Sequence, residues 1–513
     1  MASRLLGLVR EQVIAAQFGA GAATDAYNVA FRIPNLLRDL FAEGAMSAAF
    51  VPTFTKELAT GDKAAAWRLG NLTITALCIV TGILVVLGVV FASPLVRLLA
   101  DDTYTSDAAQ LALTADLAQV MLPTLTLIAV AAAAMGMLNA LRHFFIPALS
   151  PAMFNVLSIA SMLLLVPVMP ALGLPPIMAV AIGALLGAVA QVVIQWPLLR
   201  REGFRYSPEI DWRDPGLRRV LLLMGPGTIG LAATQVNVFV NTHLATSQDV
   251  GSVSWLNYAF RLMYLPIGLF GVSIATAVLP TVARHSLEKN EPGIRDTVTS
   301  GMSLMLMLNV PATIGLVVLA EPIIRLIFER KEFTPADTLA TAAALQCYAI
   351  GLVGYSVVRI ASPTFYALGL NRIPVIVSVI SVLVNAGLNW WLVGELGYRG
   401  LAIGTSIAAL FNAAALLVFL RRRLHGLNEA RVLGSFIRIT IASVLMGGAA
   451  YVANRQLDAL IGGTALAAQL VRVFGSIAVA LAVLTAAAWA LRIDEFSRGM
   501  ALVTRRFRGA SRT

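Results

Sequence analysis

Long apolar segments separated by short polar ones dominate the pattern of this sequence. A membrane-spanning helix needs about 20 mostly apolar residues, whereas a membrane-spanning strand needs only about ten of alternating character. The apolar runs therefore predict spanning helices and exclude a membrane β-barrel. Stretches that contain no Asp, Glu, Lys or Arg lie at 71–96, 117–141, 144–199, 220–248, 262–283, 297–320, 338–358, 373–394 and 400–420.

The number of spans depends on how the longest run and the charge-bearing segments are divided. The run 144–199 is long enough for two spans, with a break predicted between Pro170 and Pro176. Five further candidates carry charges; one of them, 250–283, extends the run 262–283 and adds no span, so the total is about fourteen helices. The predicted fold class is therefore an all-α polytopic membrane protein. The further candidates are 1–19, 26–55, 250–283, 434–454 and 467–491.

The composition supports this class. Hydrophobic residues make up 58% of the 513 residues and charged residues only 13%, and the mean hydropathy is +0.81. A soluble protein carries roughly a quarter charged residues, so a soluble enzyme, a disordered chain and a nucleic-acid binder are excluded. We attribute the net charge of +11 to positively charged cytoplasmic loops.

Basic residues are distributed unevenly between the two sets of loops. One set carries twenty Lys and Arg residues and the other carries seven. Because cytoplasmic loops hold the excess of positive charge, the richer side is predicted to be cytoplasmic, together with both termini. The basic loops are 56–70, 142–143, 200–219, 284–296, 359–372 and 421–438, and the others are 97–116, 321–337, 395–399 and 455–472.

A weak internal repeat relates the two halves of the chain. The tripeptide Ala-Phe-Arg ends at Arg32 and again at Arg261, 229 residues later, and Pro-Thr and Ile-Pro pairs extend the match at nearly the same spacing. The repeat predicts two six-helix lobes around a central cavity, which is an arrangement found in transporters. The predicted parts are 1–205 with spans one to six, 206–425 with spans seven to twelve, and 426–513 with a final helix pair and a basic tail.

Ionisable residues lie inside the predicted second span, where each costs at least about 2.5 kcal/mol. On a continuous helix Asp25, Arg32, Asp39 and Glu43 share a narrow stripe, whereas Arg38 points elsewhere unless a proline bends the helix. These charges favour a hydrated cationic cavity. The alternative is a set of salt bridges that lock helices together, or side chains that reach the membrane edge.

Arginines outside this span support the cavity. Arg4 and Glu11 share one face of the first span and Arg10 is offset, while Arg261 stands in a segment, 250–287, that holds no acidic residue. The planar guanidinium fork suits phosphate and carboxylate oxygens. The cavity is therefore predicted to bind a phosphorylated or carboxylated anion.

A second polar set lies in the C-terminal half. Asn385 and Asn389 are one helical turn apart, Thr405 follows in the next span, and Asn241 has the corresponding depth in the seventh span. Their oxygens could coordinate Na⁺, but a site without a carboxylate would be weak. Hydrogen bonding between helices is the favoured interpretation.

No motif for catalysis or ATP binding is recognised. The sequence GxxxxGK[ST] is absent, which excludes a P-loop, and the four histidines are scattered. We therefore expect a transporter rather than an enzyme, without a cofactor.

Several motifs resemble one known family. They are Ser-Arg-Leu-Leu-Gly at 3–7, Thr-Asp-Ala at 24–26, Pro-Asn-Leu-Leu-Arg at 34–38, Phe-Ala-Glu-Gly-Ala at 41–45 and Gly-Ser-Val-Ser-Trp at 251–255. The chain is similar over its whole length to the MurJ (MviN) lipid II flippases of the multidrug/oligosaccharidyl-lipid/polysaccharide exporter superfamily. This resemblance implies a bacterial inner-membrane protein whose final helix pair holds the undecaprenyl tail of the substrate. It also implies the substrate-binding residues Arg4, Arg10, Arg38 and Arg261, with Asp25 as an acidic partner and Asn155 on the fifth helix.

The sequence departs from the family pattern in three places. The first span is short, and Glu11 stands where Asp is common. Some members bind Na⁺ through acids whose positions correspond to Asn241 and Asn389 here, so sodium coupling is not expected.

The resulting hypothesis is alternating access between two lobes, with the arginines binding the pyrophosphate of lipid II. The membrane potential supplies roughly 2.3 kcal/mol per charge per 100 mV, so no ATP is required, and a monomer is expected. The alternatives are flipping of another undecaprenyl-linked saccharide, multidrug export, and a membrane-embedded enzyme or scaffold acting on polyprenyl lipids. A drug site for cations would expose unpaired acids, and the enzyme would need clustered acids for a metal.

Overall fold

The computed structural model describes residues 2–39, 44–60, 63–463, 465–493 and 495–496. Within these ranges ten helices are long and apolar enough to cross a membrane, and the predicted all-α membrane fold is confirmed. In the four other predicted spans, at 1–19, 26–55, 220–248 and 250–283, the structure describes the helices Ala2–Phe18, Ala22–Arg38, Gly44–Ala59, Pro215–Thr246, Ser252–Pro266 and Val272–Leu287.

The chain forms two compact units. Unit 1 consists of Met1–Ser254 together with Arg330–Phe333, and unit 2 consists of Trp255–Glu329 and Thr334–Thr513. The helices of unit 1 are α1 (Ala2–Phe18), α2 (Ala22–Arg38), α3 (Gly44–Ala59), α4 (Lys63–Val90), α5 (Ala92–Leu99), α6 (Asp102–Ser106), α7 (Ala108–Met121), α8 (Thr124–Ala140), α9 (Phe145–Leu165), α10 (Met178–Arg201) and α11 (Pro215–Thr246).

Unit 2 begins within the first turn of α12 (Ser252–Pro266). Its remaining helices are α13 (Val272–Leu287), α14 (Glu291–Val318), α15 (Ala320–Phe328), α16 (Pro335–Ala367), α17 (Arg372–Leu396), α18 (Tyr398–Arg423), α19 (Glu429–Ile461) and α20 (Leu466–Ala490).

Each unit has its own apolar core. In unit 1, Phe50 and Phe54 of α3 pack with Leu69, Met137 and Phe204. In unit 2, one cluster joins α13, α14, α16 and α18, and a second joins α14 to the final pair α19 and α20. The final pair is therefore packed within unit 2 and is not a separate compact body.

Prolines mark the places where long apolar runs are interrupted. The predicted break between Pro170 and Pro176 lies between α9 and α10, where a 3₁₀ turn at Met169–Leu172 is followed by Gly173 with φ of 71°. A π-helical turn at Ile267–Gly271 follows Pro266 and separates α12 from α13. Proline removes a backbone donor and disturbs the helical hydrogen bonds, so these runs divide at their prolines.

The division into units differs from the lobe boundary predicted at residues 205 and 206. Helix α11 packs against α3 and α4 of unit 1, and Gln235 of α11 donates a hydrogen bond of 3.3 Å to Asp39. The two units are defined by contacts within each of them, whereas the two six-helix lobes were predicted from a sequence repeat. The units therefore do not test the lobes, which stay a prediction.

Short side chains fix the starts of several helices. Asp107 accepts hydrogen bonds from the backbone N–H groups of Ala109 and Gln110 at the start of α7. Thr334 and Asp337 form a capping box at the start of α16. These contacts satisfy donors that have no partner within the helix.

Two glycines allow α17 and α18 to pack closely. A Cβ atom at Gly400 would lie 2.2 Å from the carbonyl oxygen of Leu392, and one at Gly404 would lie 2.0 Å from Oδ1 of Asn389. Any larger residue would force the helices apart.

Candidate functional site

A polar cavity of about 450 Å³ lies within unit 1. It is bordered by α1, the end of α2, α8, α9 and α10, and its size falls in the range of ligand-binding pockets, about 300–1,000 Å³. The polar side chains of its lining come from Ser3, Arg38, Asn139, Ser150, Asn155 and Gln191. Two of the six residues predicted to bind substrate, Arg38 and Asn155, thus line one cavity.

Asn155 connects α9 to the start of α1. Its Nδ2 donates to the carbonyl oxygen of Ser3 at 3.2 Å and to that of Pro151 at 3.1 Å. A Cβ atom at Gly7 would lie 3.8 Å from Oδ1 of Asn155, so α1 approaches this side chain closely. The amide therefore lines the cavity and also holds the first helix beside it.

Arg10 forms a buried ion pair next to this cavity. Its Nη2 donates to Oε1 of Glu11 at 2.9 Å, and both residues are less than a tenth exposed. The guanidinium carbon lies 5.4 Å from the ring centre of Phe154, which also lines the cavity. The Nε donor of Arg10 is buried and has no hydrogen-bond partner among the described residues.

Arg38 pairs with its neighbour Asp39. Nε and Nη2 of Arg38 donate to Oδ1 of Asp39 at 3.1 and 2.9 Å, and both side chains are partly exposed. A long guanidinium side chain can reach the adjacent carboxylate whatever the direction of its Cα–Cβ bond. The direction predicted for Arg38, away from the acidic stripe, therefore stays a prediction.

The other predicted charges of unit 1 are placed differently. Arg4 is exposed on α1, and Arg32 is half-buried in the middle of α2. Glu43 lies outside the described residues. Their roles at the cavity stay predictions.

Asp25 is buried and accepts hydrogen bonds from residues at the start of α12. Oδ2 accepts a hydrogen bond of 2.6 Å from the backbone N–H of Gly251, and Oδ1 accepts from the backbone N–H and the hydroxyl of Ser254 at 2.9 and 2.6 Å. Asn28 donates to the same hydroxyl at 3.1 Å. A carboxylate that receives backbone N–H groups stabilises the helix start, a role that the sequence did not reveal.

Substitution Asp25→Ala is expected to lower the free energy of unfolding by about 2–3 kcal/mol, because charge-assisted hydrogen bonds are lost in a buried place. The matched control is Asp107→Ala, which removes an exposed cap and should cost about 1 kcal/mol. Denaturant unfolding of both variants in detergent measures the difference. Equal losses would contradict the role assigned to the buried carboxylate.

Arg261 lies on α12 in unit 2 and is half-buried. Its Nε is 3.5 Å from Oδ1 of Asn257, one turn earlier on the same helix. A guanidinium group carries a permanent positive charge and presents a planar set of donors. The role of Arg261 in binding an anionic ligand stays a prediction.

A second cation near α12 was missed by the sequence analysis. Arg359 was assigned to a cytoplasmic loop, but α16 continues to Ala367, and Arg359 donates to the hydroxyl of Tyr264 while its guanidinium lies 5.9 Å from the ring centre. Tyr264 lies three residues after Arg261 and packs edge-to-face on Tyr355. The apolar residues that resume after Arg359 were the signal for a longer helix.

The polar set considered for Na⁺ forms a hydrogen-bonded chain between α17 and α18. Asn389 donates to Oδ1 of Asn385 at 3.1 Å, Asn385 donates to the hydroxyl of Thr405 at 3.4 Å, and that hydroxyl donates to the carbonyl of Leu401. Asn241, on α11 of unit 1, donates from Nδ2 to Oδ1 of Asn237 on the same helix at 2.9 Å. The contact between Asn385 and Thr405 joins α17 to α18, and the weak Na⁺ site stays a prediction.

Acidic and metal-binding side chains do not gather elsewhere in the described part of the chain. No group of three or more His, Cys, Asp or Glu residues is placed to hold a metal ion among the residues described. The arrangement offers cations and amides, which bind and position an anion.

Comparisons with known proteins identify relatives over most of the chain. The family described as "Lipid II flippase MurJ" matches residues 14–470. A probable lipid II flippase MurJ from Vibrio cholerae is 33% identical over 87% of this chain and 86% of that protein. One from Bdellovibrio bacteriovorus is 33% identical over 97% and 94%, and the lipid II flippase MurJ of Burkholderia cenocepacia is 32% identical over 87% and 86%.

Solved structures show the same architecture. A lipid II flippase MurJ in an inward closed conformation has a TM-score of 0.76 at 26% identity and covers 95% of this chain and 97% of its own. An inward-facing multidrug resistance MATE transporter of the MOP superfamily has a TM-score of 0.69 at 17% identity, over 83% and 96%. The second likeness concerns the fold alone.

Proposed function

The chain belongs to the lipid II flippase MurJ family, and on this premise we propose that it moves lipid II from the cytoplasmic to the outer leaflet of the bacterial inner membrane. It does so by alternating access, as a monomer with both termini in the cytoplasm. The observation that carries the proposal is the unit 1 cavity of about 450 Å³ with Arg38 in its lining and the buried Arg10 beside it.

The arginines bind the anionic part of the substrate. Arg10 pairs with Glu11 and Arg38 pairs with Asp39, and these pairs orient the two guanidinium groups, each of which carries five N–H donors. Arg261 contributes from unit 2, and Arg4 lies on the same helix as Arg10. Phosphate oxygens accept such paired donors with defined geometry.

The amides beside the arginines suit the uncharged part of the headgroup. Asn155, Asn139 and Gln191 line the same cavity, and each side chain carries both donors and acceptors. Sugar hydroxyls and peptide groups require both kinds of partner, whereas a cation site would need acids. The cavity lining therefore favours a polar anionic headgroup over a cationic drug.

The final helix pair offers a surface for the lipid tail. Helices α19 and α20 pack on each other and on α14 and α15, and apolar side chains such as Ile441, Val444 and Leu445 remain exposed on α19. An isoprenoid tail has no polar group to satisfy, so it can stay in contact with these side chains while the headgroup crosses.

Transport is expected to depend on the membrane potential and not on sodium. Moving one negative charge outward across an inside-negative membrane releases roughly 2.3 kcal/mol per 100 mV. Replacing Na⁺ by K⁺ in the medium should therefore change the rate of lipid II transport by less than about twofold. Collapsing the membrane potential with an ionophore should lower that rate by roughly tenfold or more. A loss of activity on Na⁺ removal at constant potential would contradict this mechanism.

The function is tested in a bacterium from which the native lipid II flippase is depleted. Expression of this chain should restore lipid II to the outer leaflet, measured with a membrane-impermeant reagent that degrades exposed lipid II. Failure at normal expression and membrane insertion would instead favour another undecaprenyl-linked saccharide as substrate.

A further inference from the structure

A second pocket, distinct from the unit 1 cavity, lies in unit 2 where α19 ends and α20 begins. It has a volume of about 310 Å³ and is bordered by α15, α19 and α20. The positive-inside pattern places the segment 455–472 on the extracytoplasmic side. The pocket is therefore expected at the outer end of the final helix pair.

The charges of this pocket are partly neutralised by fixed ion pairs. Arg472 is about nine-tenths buried, pairs with Asp458 and donates to the carbonyl oxygen of Gly463 at 2.8 Å. Arg325 donates to Glu321 at 2.8 Å and to Glu329 at 3.2 Å. Both arginines are thus oriented by neighbours rather than left flexible.

A third arginine supplies a positive charge that no ion pair balances. Arg455 lines the pocket and makes no ion pair with any acidic residue in the ranges that the structure describes. Arg325 is paired with Glu321 and Glu329, and Arg472 is paired with Asp458. One phosphodiester would neutralise Arg455.

The surroundings of the pocket point to a lipid rather than a soluble anion. Tyr451 borders the pocket and is half-exposed, and Val452, Leu470 and Phe474 are exposed on the adjoining turns of α19 and α20. Aromatic side chains favour the membrane interface, and exposed apolar side chains along a spanning helix meet acyl chains. A headgroup in the pocket would have its chains beside these residues.

We propose that this pocket binds the phosphate headgroup of an anionic membrane phospholipid of the outer leaflet. Arg455 and Arg472 contact the phosphodiester, and the acyl chains lie along the exposed faces of α19 and α20. The ammonium group of a zwitterionic headgroup would compete with Arg455 for the phosphate, so the site prefers a lipid with a net negative charge. This site is separate from the cavity assigned to the transported lipid.

Native mass spectrometry of the purified, delipidated full chain tests the proposal. Phosphatidylglycerol and phosphatidylethanolamine with identical acyl chains are added in separate titrations. The first phosphatidylglycerol should bind more tightly than phosphatidylethanolamine, and Arg455→Gln should weaken that binding by roughly five- to tenfold, as expected for one charge-assisted contact. Arg455 is exposed and unpaired, so its substitution should not disturb folding.

The matched control is Arg399→Gln. Arg399 is also exposed, lies in unit 2 at the same predicted end of the membrane, and contacts only the uncharged Tyr398 among the described residues. An equal loss in both variants would overturn the proposal, because it would reflect net charge rather than this pocket. Equal affinity for the two lipids would also overturn it.

Inorganic phosphate distinguishes the source of the headgroup. Millimolar phosphate should not displace the bound phosphatidylglycerol, since it lacks acyl chains. Displacement would reassign the pocket to a soluble anion and overturn the lipid proposal. The measurement does not involve transport, so its outcome is independent of the test of the flippase function.

Discussion

Replacing Arg261 by Gln is expected to lower lipid II transport by roughly 10- to 150-fold. Arg261 is the cation that α12 contributes, and we propose that its guanidinium group binds the pyrophosphate of lipid II directly. A charge-assisted hydrogen bond contributes about 1.5–3 kcal/mol, which corresponds to this range of rates. The assay is the exposure of lipid II in cells that lack their native flippase.

Two further variants make the Arg261 experiment specific. Arg261→Lys retains the charge but not the planar fork, so it should have intermediate activity. Arg284→Gln removes an exposed arginine that forms only a 3.8 Å pair with Glu288, and it should transport normally. Full activity of the Arg261→Gln protein at equal expression would exclude a role for this side chain in binding the pyrophosphate.

Substitution Glu11→Gln should destabilise the protein by about 3–5 kcal/mol. The side chains of Glu11 and Arg10 are nearly inaccessible to solvent, and removal of one partner leaves a buried charge without compensation. The free energy of unfolding in detergent measures the effect. An exposed pair offers the comparison: Glu288→Gln should cost less than about 1 kcal/mol.

A double substitution separates charge from packing at this pair. Arg10→Met together with Glu11→Gln removes both charges, so the double variant should be more stable than Glu11→Gln alone. If the double variant is less stable, the packing of the guanidinium on Phe154 outweighs the unpaired charge. Transport should be lost in both variants, because Arg10 is either absent or displaced.

The general fold could be predicted because long apolar runs have few structural solutions. A run of the length of 144–199 must contain two spans, and its prolines identify the break between α9 and α10. The extent of each helix was harder to predict, because a search for charge-free runs stops at the first charge. Arg359 was for this reason assigned to a loop, although it lies within α16 and its guanidinium contacts the ring of Tyr264.

The candidate site was predicted in part. Arg10 and Arg38 lie in or near motifs that resemble a family, Asn155 was implied by the same resemblance, and the structure places all three at or beside one cavity in unit 1. The partner of Asp25 could not be predicted, because Gly251 is 226 residues away and no local pattern links a carboxylate to a distant backbone N–H. Contacts of this kind depend on the packing of helices.

The close packing of α17 and α18 limits which of their glycines can be replaced during evolution. Gly400 and Gly404 have no room for a side chain, whereas a Cβ atom at Gly387 or Gly394 of α17 would meet nothing within 4 Å. Selection therefore acts on the two pairs in opposite ways. The α18 glycines should persist under drift, while the α17 glycines are free to become alanine or larger apolar residues, which also favour a helix.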